Sequence, residues 1–481
     1  MNRQPTSFFV IFLLLIIMAS VISCSEKKTG FHFSSLESSQ TNIDFNNKLI
    51  ENDSVNFMSN QYIYIGSGVG IGDFNNDGLP DIFFAGGQVS CKLYLNKGDF
   101  KFDDITEKAG VETKVWCTGV TVVDINNDGL QDIYVCVSHS KSASNRKNLL
   151  FINKGNLEFS EQAAEYGLAD SSFSTQAAFM DYDKDGDLDM YLMNHNIFQN
   201  QPNNIAVQNV QGTATSADKL YRNEGISPGK NHPVYKDVSQ ETGIRDDGYG
   251  LGIVVSDFNN DNWPDIYIAN DFIGNDILWL NNKNGTFTNS ISTAIRHQSY
   301  NSMGVDAADL NNDQLPDLGV LDMLPEINKR KKTMFAGSNP ERYDMEQRQG
   351  GYQPEFTRNV LQLNNGNRKI NDHKEPFFSE IGQLAGVSET DWSWSILMAD
   401  FDDDGMKDMY ITNGIAKDLT NNDFLFFSNT QNGQNSFTMG SGNEAALKSI
   451  NIGALRKELD SYGSIKINNY FFHNDGNISF T

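Results

Sequence analysis

The sequence predicts an all-β fold, a β-propeller of four-stranded antiparallel blades with six blades present and short helical insertions. Three observations carry that prediction. An Asp-rich phrase of nine residues recurs six times, apolar residues alternate in front of every copy, and a second strand–turn–strand unit follows each one.

The phrase reads D-F-N-N-D-G-L-P-D from Asp73, D-I-N-N-D-G-L-Q-D from Asp124 and D-Y-D-K-D-G-D-L-D from Asp181. It continues as D-F-N-N-D-N-W-P-D from Asp257, D-L-N-N-D-Q-L-P-D from Asp309 and D-F-D-D-D-G-M-K-D from Asp400. Start-to-start separations of 51, 57, 76, 52 and 91 residues describe a supersecondary unit with insertions, so repetition accounts for the 481 residues.

Positions −2 and −4 before the copies are apolar throughout: Ile71/Val69, Val122/Val120, Phe179/Ala177, Val255/Ile253, Ala307/Val305 and Met398/Ile396. That period of two is a strand signal. Runs of β-formers follow, such as Ile82-Phe83-Phe84 and Ile266-Tyr267-Ile268, so each phrase tips a hairpin. Then come strands ending in Asn/Gly turns, as in Leu93 to Gly98, Leu149 to Gly155, Leu220 to Gly225, Leu278 to Asn281, Val360 to Gly366 and Phe471 to Gly476. Two hairpins make a four-stranded sheet, and radial repetition of such sheets protects their edges. A linear β-solenoid normally has shorter repeats.

Charge points the same way as spacing. The chain carries 37 Lys+Arg against 62 Asp+Glu, a net −25 that repels phosphate backbones and argues against nucleic-acid binding. Of the 62 acids, 20 are Asp residues at positions 1, 3, 5 and 9 of the phrase. Oxygens at 1, 3 and 5, a backbone carbonyl at 7 and a carboxylate at 9 wrap one hard cation, with Gly at 6 allowing the turn. The expected Ca²⁺ ligands are Asp73, Asn75, Asp77, Leu79 and Asp81, then Asp124, Asn126, Asp128, Leu130 and Asp132. The third and fourth sets are Asp181, Asp183, Asp185, Asp187 and Asp189, and Asp257, Asn259, Asp261, Trp263 and Asp265. The last two are Asp309, Asn311, Asp313, Leu315 and Asp317, and Asp400, Asp402, Asp404, Met406 and Asp408.

An EF-hand is excluded, because position 12 is Phe84, Val135, Leu192, Ile268, Val320 or Ile411 and never Glu. Without metal each loop stacks three or four carboxylates, so calcium is expected to be structural. Position 6 departs from Gly at Asn262 and Gln314; Gln tolerates a left-handed turn less well, which makes the fifth loop the weakest of the six.

Arg3 and an apolar run from Phe8 to Ile22 read as a signal peptide spanning residues 1–23. The run ends in Val21-Ile22-Ser23-Cys24, which resembles the lipobox of bacterial lipoproteins, with Cys24 as the lipidated first residue of the mature chain. The remaining cysteines, Cys91, Cys117 and Cys136, show no C-x-x-C spacing, so neither a disulfide framework nor a zinc site is indicated. Buried thiols are expected, with oxidation of one pair open outside the cytoplasm.

The repeats resemble the FG-GAP/VCBS repeats of integrin-α-like propellers over nearly all of residues 31–481. With the lipobox, the arrangement is similar to VCBS-repeat surface lipoproteins of Bacteroidetes-type bacteria, often ending in an ASPIC/UnbV segment that is not found here. The resemblance implies calcium in each D-x-[DN]-x-D-G-x-x-D loop, a cell-envelope location at the outer membrane and a seventh blade beyond residue 481. The organisation expected is a leader at 1–23, a tether with a closing strand at 24–60 and the propeller from 61 to 481. Phe31 to Leu36 is the expected closing strand, and the chain stops inside a repeat phrase at Ile478 to Thr481.

Three stretches break the rhythm: about 196–218, about 323–358 with the basic cluster Lys329-Arg330-Lys331-Lys332, and about 417–466 with a helical pattern from Glu444 to Tyr462. Propeller insertions often build binding surfaces, so these are the candidates for specificity. The seven histidines form no H-E-x-x-H spacing, and no G-x-S-x-G or P-loop occurs. Asn194-His195 is the best local catalytic candidate. The expected function is a calcium-stabilised, lipid-anchored recognition or adhesion propeller binding a protein or polysaccharide, without catalysis. A calcium-dependent lyase or hydrolase, or a scaffold for a further C-terminal domain, are the alternatives.

Overall fold

Alternating side chains on the strands face neighbouring blades in turn, and that alternation builds the ring. The computed structural model describes residues 33–57, 59–60, 62–195, 205, 207–334, 340–370, 373–431 and 451–481. The signal segment, Cys24 and residues 31–32 lie outside the described residues, as do 196–204, 335–339 and 432–450 of the insertions.

Blade one comprises Val69–Gly72, Asp81–Phe84, Lys92–Asn96 and Phe102–Asp104, paired antiparallel in that order. Blade two is Cys117–Val123, Asp132–Val137, Leu149–Asn153 and Phe159–Glu161; blade three is Ser174–Met180, Asp189–Asn194, Lys219–Ile226 and Pro233–Asp237. Blade four is Gly250–Ser256, Asp265–Asn270, Ile277–Asn281 and Phe287–Asn289, and blade five is Val305–Ala308, Asp317–Val320, Val360–Ile370 and His373–Glu380. Blade six has Ser393–Ala399, Asp408–Asn413 and Tyr470–Phe472, and its fourth strand begins in the backbone pairing of His473 with Thr481 and of Asn474 with Phe480. In each blade an Asp-rich loop joins the first two strands, with Ile71 opposite Ile82 and Val122 opposite Ile133.

Blade two shows how sequence becomes packing. Ile133, Val135 and Val137 point into a core shared with Phe83 and Leu93 of blade one, while Tyr134 and Cys136 point the other way, toward Met190 and Leu192 of blade three. Each such buried side chain contributes roughly 1.5–3 kcal/mol. Equivalent cores join blades three to four, four to five and five to six. Near the axis the strands approach too closely for a side chain: a Cβ at Gly119 would overlap the Thr175 carbonyl of blade three.

The two end blades are covered differently. Val69 and Ile71 on blade one are 54% and 64% exposed, and Leu397 on blade six is 54% exposed. The N-terminal segment touches both faces. Phe45 stacks on Phe84 at 4.9 Å, Asp44 accepts from the Tyr94 hydroxyl at 2.7 Å, and Phe33 packs against Phe401, Tyr410 and Phe471. Of the expected closing strand, residues 31–32 lie outside the described residues, and Phe33 packs its ring against Phe401, Tyr410 and Phe471 of blade six. Among the described residues no helix is long and apolar enough to cross a membrane.

Candidate metal centres and the opposite ring face

Each Asp-rich loop is folded by its own carboxylates. Asp73 accepts the N–H groups of Asp77 (3.0 Å) and Gly78 (2.7 Å), and Asp77 accepts that of Leu79 (2.9 Å). Asp124, Asp257, Asp309 and Asp400 repeat the first pattern. These bonds bend the backbone into the left-handed region at positions 4 and 6, as at Asn76 (φ 56°) and Gly78 (φ 86°). Gln314 adopts the same conformation, at φ 70°, without the freedom of glycine.

Position 9 is the buried end of the loop. Asp81, Asp132, Asp189, Asp265, Asp317 and Asp408 are all buried. In blade two, Asp132 accepts from Ile125 N–H at 3.2 Å and from Asn153 N–H at 2.8 Å. Burial pushes Asp132 up to about 7, Asp189 and Asp265 to about 8 and Asp317 to about 6; backbone donors oppose the rise and the other loop carboxylates add to it.

The Asn after the third strand was legible only as a turn residue, yet it ties blades together. Asn153 Nδ2 donates to Phe74 O of blade one at 2.9 Å, and Asn281, Asn364 and Asn474 donate to Tyr182, Phe258 and Leu310 O in the preceding blades. The signal that pointed to it was its recurrence directly before each second-hairpin turn.

Four observations bear on whether the loops suit a cation. Asp181 Oδ1, Asp187 Oδ1 and Asn259 Oδ1 are buried oxygens with no hydrogen-bond partner. In loop three, Asp181, Asp183 and Asp189 present oxygens within 4.8 Å of one another, as do Asp400, Asp402 and Asp408 in loop six. Asp187, expected to act through its carbonyl, also brings a carboxylate, which burial and Asp185 push up to about 6. In loops one, two and five the amides of Asn75, Asn126 and Asn311 turn toward Asp77, Asp128 and Asp313. The oxygen donors of these loops fit a hard cation such as Ca²⁺, and in loop six a His473 ring nitrogen also lies with the oxygens of Asp402 and Asp404.

One residue near loop six escaped the sequence reading. His473 Nε2 lies 3.1 Å from Asp402 Oδ2, with Asp475 Oδ1 3.0 Å from its Nδ1. Leu95, Ile152, Arg222, Leu280 and Leu363 hold that place in the other blades.

Second strands start at the loops and end at the other ring face, so every connection from second to third strand emerges there. The three long insertions are these connections in blades three, five and six. Arg330 of the basic cluster is committed to Asp391 (2.6 Å) and Asp418 (3.1 Å), and Lys331 to Glu389 (2.6 Å). The helical pattern appears as Ile452–Ser461, capped by Asn451, with Leu455 and Leu459 buried against Phe57, Ile63, Leu419 and Phe424.

The catalytic candidate His195 lies on this face and is fully buried. Tyr62 covers it with ring centroids 3.9 Å apart and donates to Asp271 Oδ2 at 2.6 Å. Burial holds His195 and His139 down to about 3 and raises Asp271 to about 6.

Residues 73–135 and 257–320 match the FG-GAP-like repeat, each stretch holding two of the loops. Cartilage acidic protein 1 of Homo sapiens is 27% identical over 205 residues, 42% of this chain and 28% of the relative. The Xenopus tropicalis protein of the same name is 27% identical over 207 residues. The chain thus matches less than a third of the length of these curated relatives. The solved structure of the V. cholerae biofilm matrix protein Bap1 is similar at 14% identity with a TM-score of 0.30, covering 55% of this chain and 36% of that one. The chain is a six-bladed β-propeller carrying FG-GAP-like repeats.

Proposed function

We propose that the protein is a calcium-stabilised recognition propeller, tethered to the cell envelope through a lipid on Cys24, that binds a protein or polysaccharide without chemical turnover. The observation that carries this reading is the division of the ring into two faces. One holds the six Asp-rich loops, of which the third and sixth each bring three carboxylate oxygens together, and the connections of the three long insertions leave the blades on the other. His195 supports a role other than catalysis, because Tyr62 seals it from any substrate. In this account Ca²⁺ neutralises the loop carboxylates and stiffens the inner hairpins, while the blade residues take no part in bond making. The outer-membrane placement rests on the lipobox-like Val21-Ile22-Ser23-Cys24.

The test is a glycan-array and envelope pull-down screen of the full-length protein against variants in which 324–357 or 418–465 is replaced by a short linker. Binding, compared at a temperature where every variant is folded, is expected to fall in those variants and to survive substitution of Asn194 or His195. Binding that survives both replacements, or glycan turnover lost on mutation of a carboxylate outside the loops, would overturn the reading.

A further inference from the structure

Among the described residues the cysteines are Cys91, Cys117 and Cys136, all of them thiols and all buried. Cys91 precedes the third strand of blade one and Cys117 opens the first strand of blade two. Their Sγ atoms are 3.5 Å apart, and the Thr113 hydroxyl donates to Cys91 Sγ at 3.3 Å. Both sulfurs sit in the core shared by the two blades. Cys136 faces the opposite core, with Tyr134, Leu150 and Ile152, so strand alternation leaves Cys91 and Cys117 as partners.

We propose that Cys91 and Cys117 are a covalent modification site, oxidised to a disulfide that joins blade one to blade two. A bond of about 2.05 Å requires the sulfurs to close by about 1.5 Å, within reach of side-chain rotation. Blade one is the blade that gains from the link, because its other face leaves Val69 and Ile71 exposed and, among the described residues, it shares a core with blade two and with no other blade.

The oxidant is a disulfide donor of the thiol–disulfide exchange class. The Cys91 thiolate attacks one donor sulfur, the donor S–S bond breaks, and the first donor thiolate leaves and takes up a proton. Cys117, losing its proton to solvent, then attacks Cys91 Sγ in the mixed disulfide and expels the second donor thiol. Two protein thiols lose two electrons and two protons; the donor gains both. Because the folded blades bury both sulfurs, exchange occurs before blades one and two close, and the finished bond is shielded from reductant.

In the cell the step rests on the export proposed above, so the test has two arms. The full chain, denatured and reduced, is refolded with oxidised glutathione, alkylated and digested after Lys and before Asp, which separates Cys117 from Cys136 at Asp124, Asp128 and Asp132. A Cys91–Cys117 peptide pair lighter by two hydrogens is expected, with Cys136 alkylated, and the crosslinked form should melt about 2–6 °C above the reduced form. Alkylation of both Cys91 and Cys117, or a bond to Cys136, would overturn the assignment. The second arm maps the protein from its native membrane fraction with thiols blocked at lysis. A crosslink on refolding but not in the native fraction would overturn the cellular proposal through the export reading, whereas failure in both arms overturns the geometry itself.

Discussion

Asn153 of blade two donates its side-chain amide to the carbonyl of Phe74, 79 residues earlier in blade one, at 2.9 Å. The same amide reaches Gln131 O at 3.2 Å, and its backbone N–H serves Asp132. One buried Asn therefore couples a loop in its own blade to the loop of the blade before.

Asn153→Ala is expected to cost about 1–3 kcal/mol, because it takes the side-chain donor from the buried Phe74 carbonyl. Asn96→Ala is the control, since Asn96 reaches only Pro80 O of its own blade and its side chain is the more exposed. Urea unfolding at saturating Ca²⁺ checks this; equal losses in the two variants would show that the inter-blade bond adds nothing.

Gln314→Gly is expected to stabilise the chain by about 0.5–1 kcal/mol, since the left-handed φ of 70° is strained for Gln and free for Gly. Thermal melting with and without Ca²⁺ measures it, and a loss of stability would mean that the Gln side chain contributes more than its backbone costs.

Asp218 gives a pH signature away from the loops. Burial raises it from 3.8 to about 7, while Asn148 and Asn359 hold the matching place in blades two and five and accept the same strand-end N–H. Between 3.8 and about 7 the folded state keeps a proton that the unfolded state has lost, so raising the pH through that window removes stability. Asp218→Asn has no such proton. Its stability relative to the parent should rise by about 1–3 kcal/mol from pH 5 to pH 8. A pH-independent difference in denaturant midpoints would contradict the assignment.

Asp187→Asn should change sign with metal. In chelator the variant relieves the repulsion that Asp185, Asp183 and Asp181 exert on Asp187, so it should be more stable by about 1 kcal/mol. In millimolar Ca²⁺ it loses a charged donor and should be the less stable of the two. Melting curves that do not cross would remove the Asp187 carboxylate, though not its backbone carbonyl, from the ligand set.

The strands were legible because alternation such as Val120/Val122 has one physical meaning at any distance, a face toward each neighbour. Loop conformation followed from Asp and Gly spacing, which is local chemistry. What stayed hidden is whatever depends on a distant carbonyl or ring: Asn153 reads as a turn residue until Phe74 is beside it, and nothing near Tyr62 in sequence announces His195 or Asp271. The contact of Phe33 with Tyr410 and Phe471 of blade six was hidden for the same reason. Cys91 and Cys117, ordinary by spacing, meet only because blades one and two share a core.

The account stands most directly on the metal. Protein purified without chelator is analysed for bound elements, then stripped with EDTA and titrated with Ca²⁺ while its melting temperature is followed, with Asp181→Ala in parallel. The expected result is several calcium ions per chain, a melting temperature that falls in EDTA and recovers with Kd values of about 10⁻⁴–10⁻³ M, and the loss of one ion in Asp181→Ala. An unchanged melting curve in EDTA, with no metal in the purified protein, would contradict it.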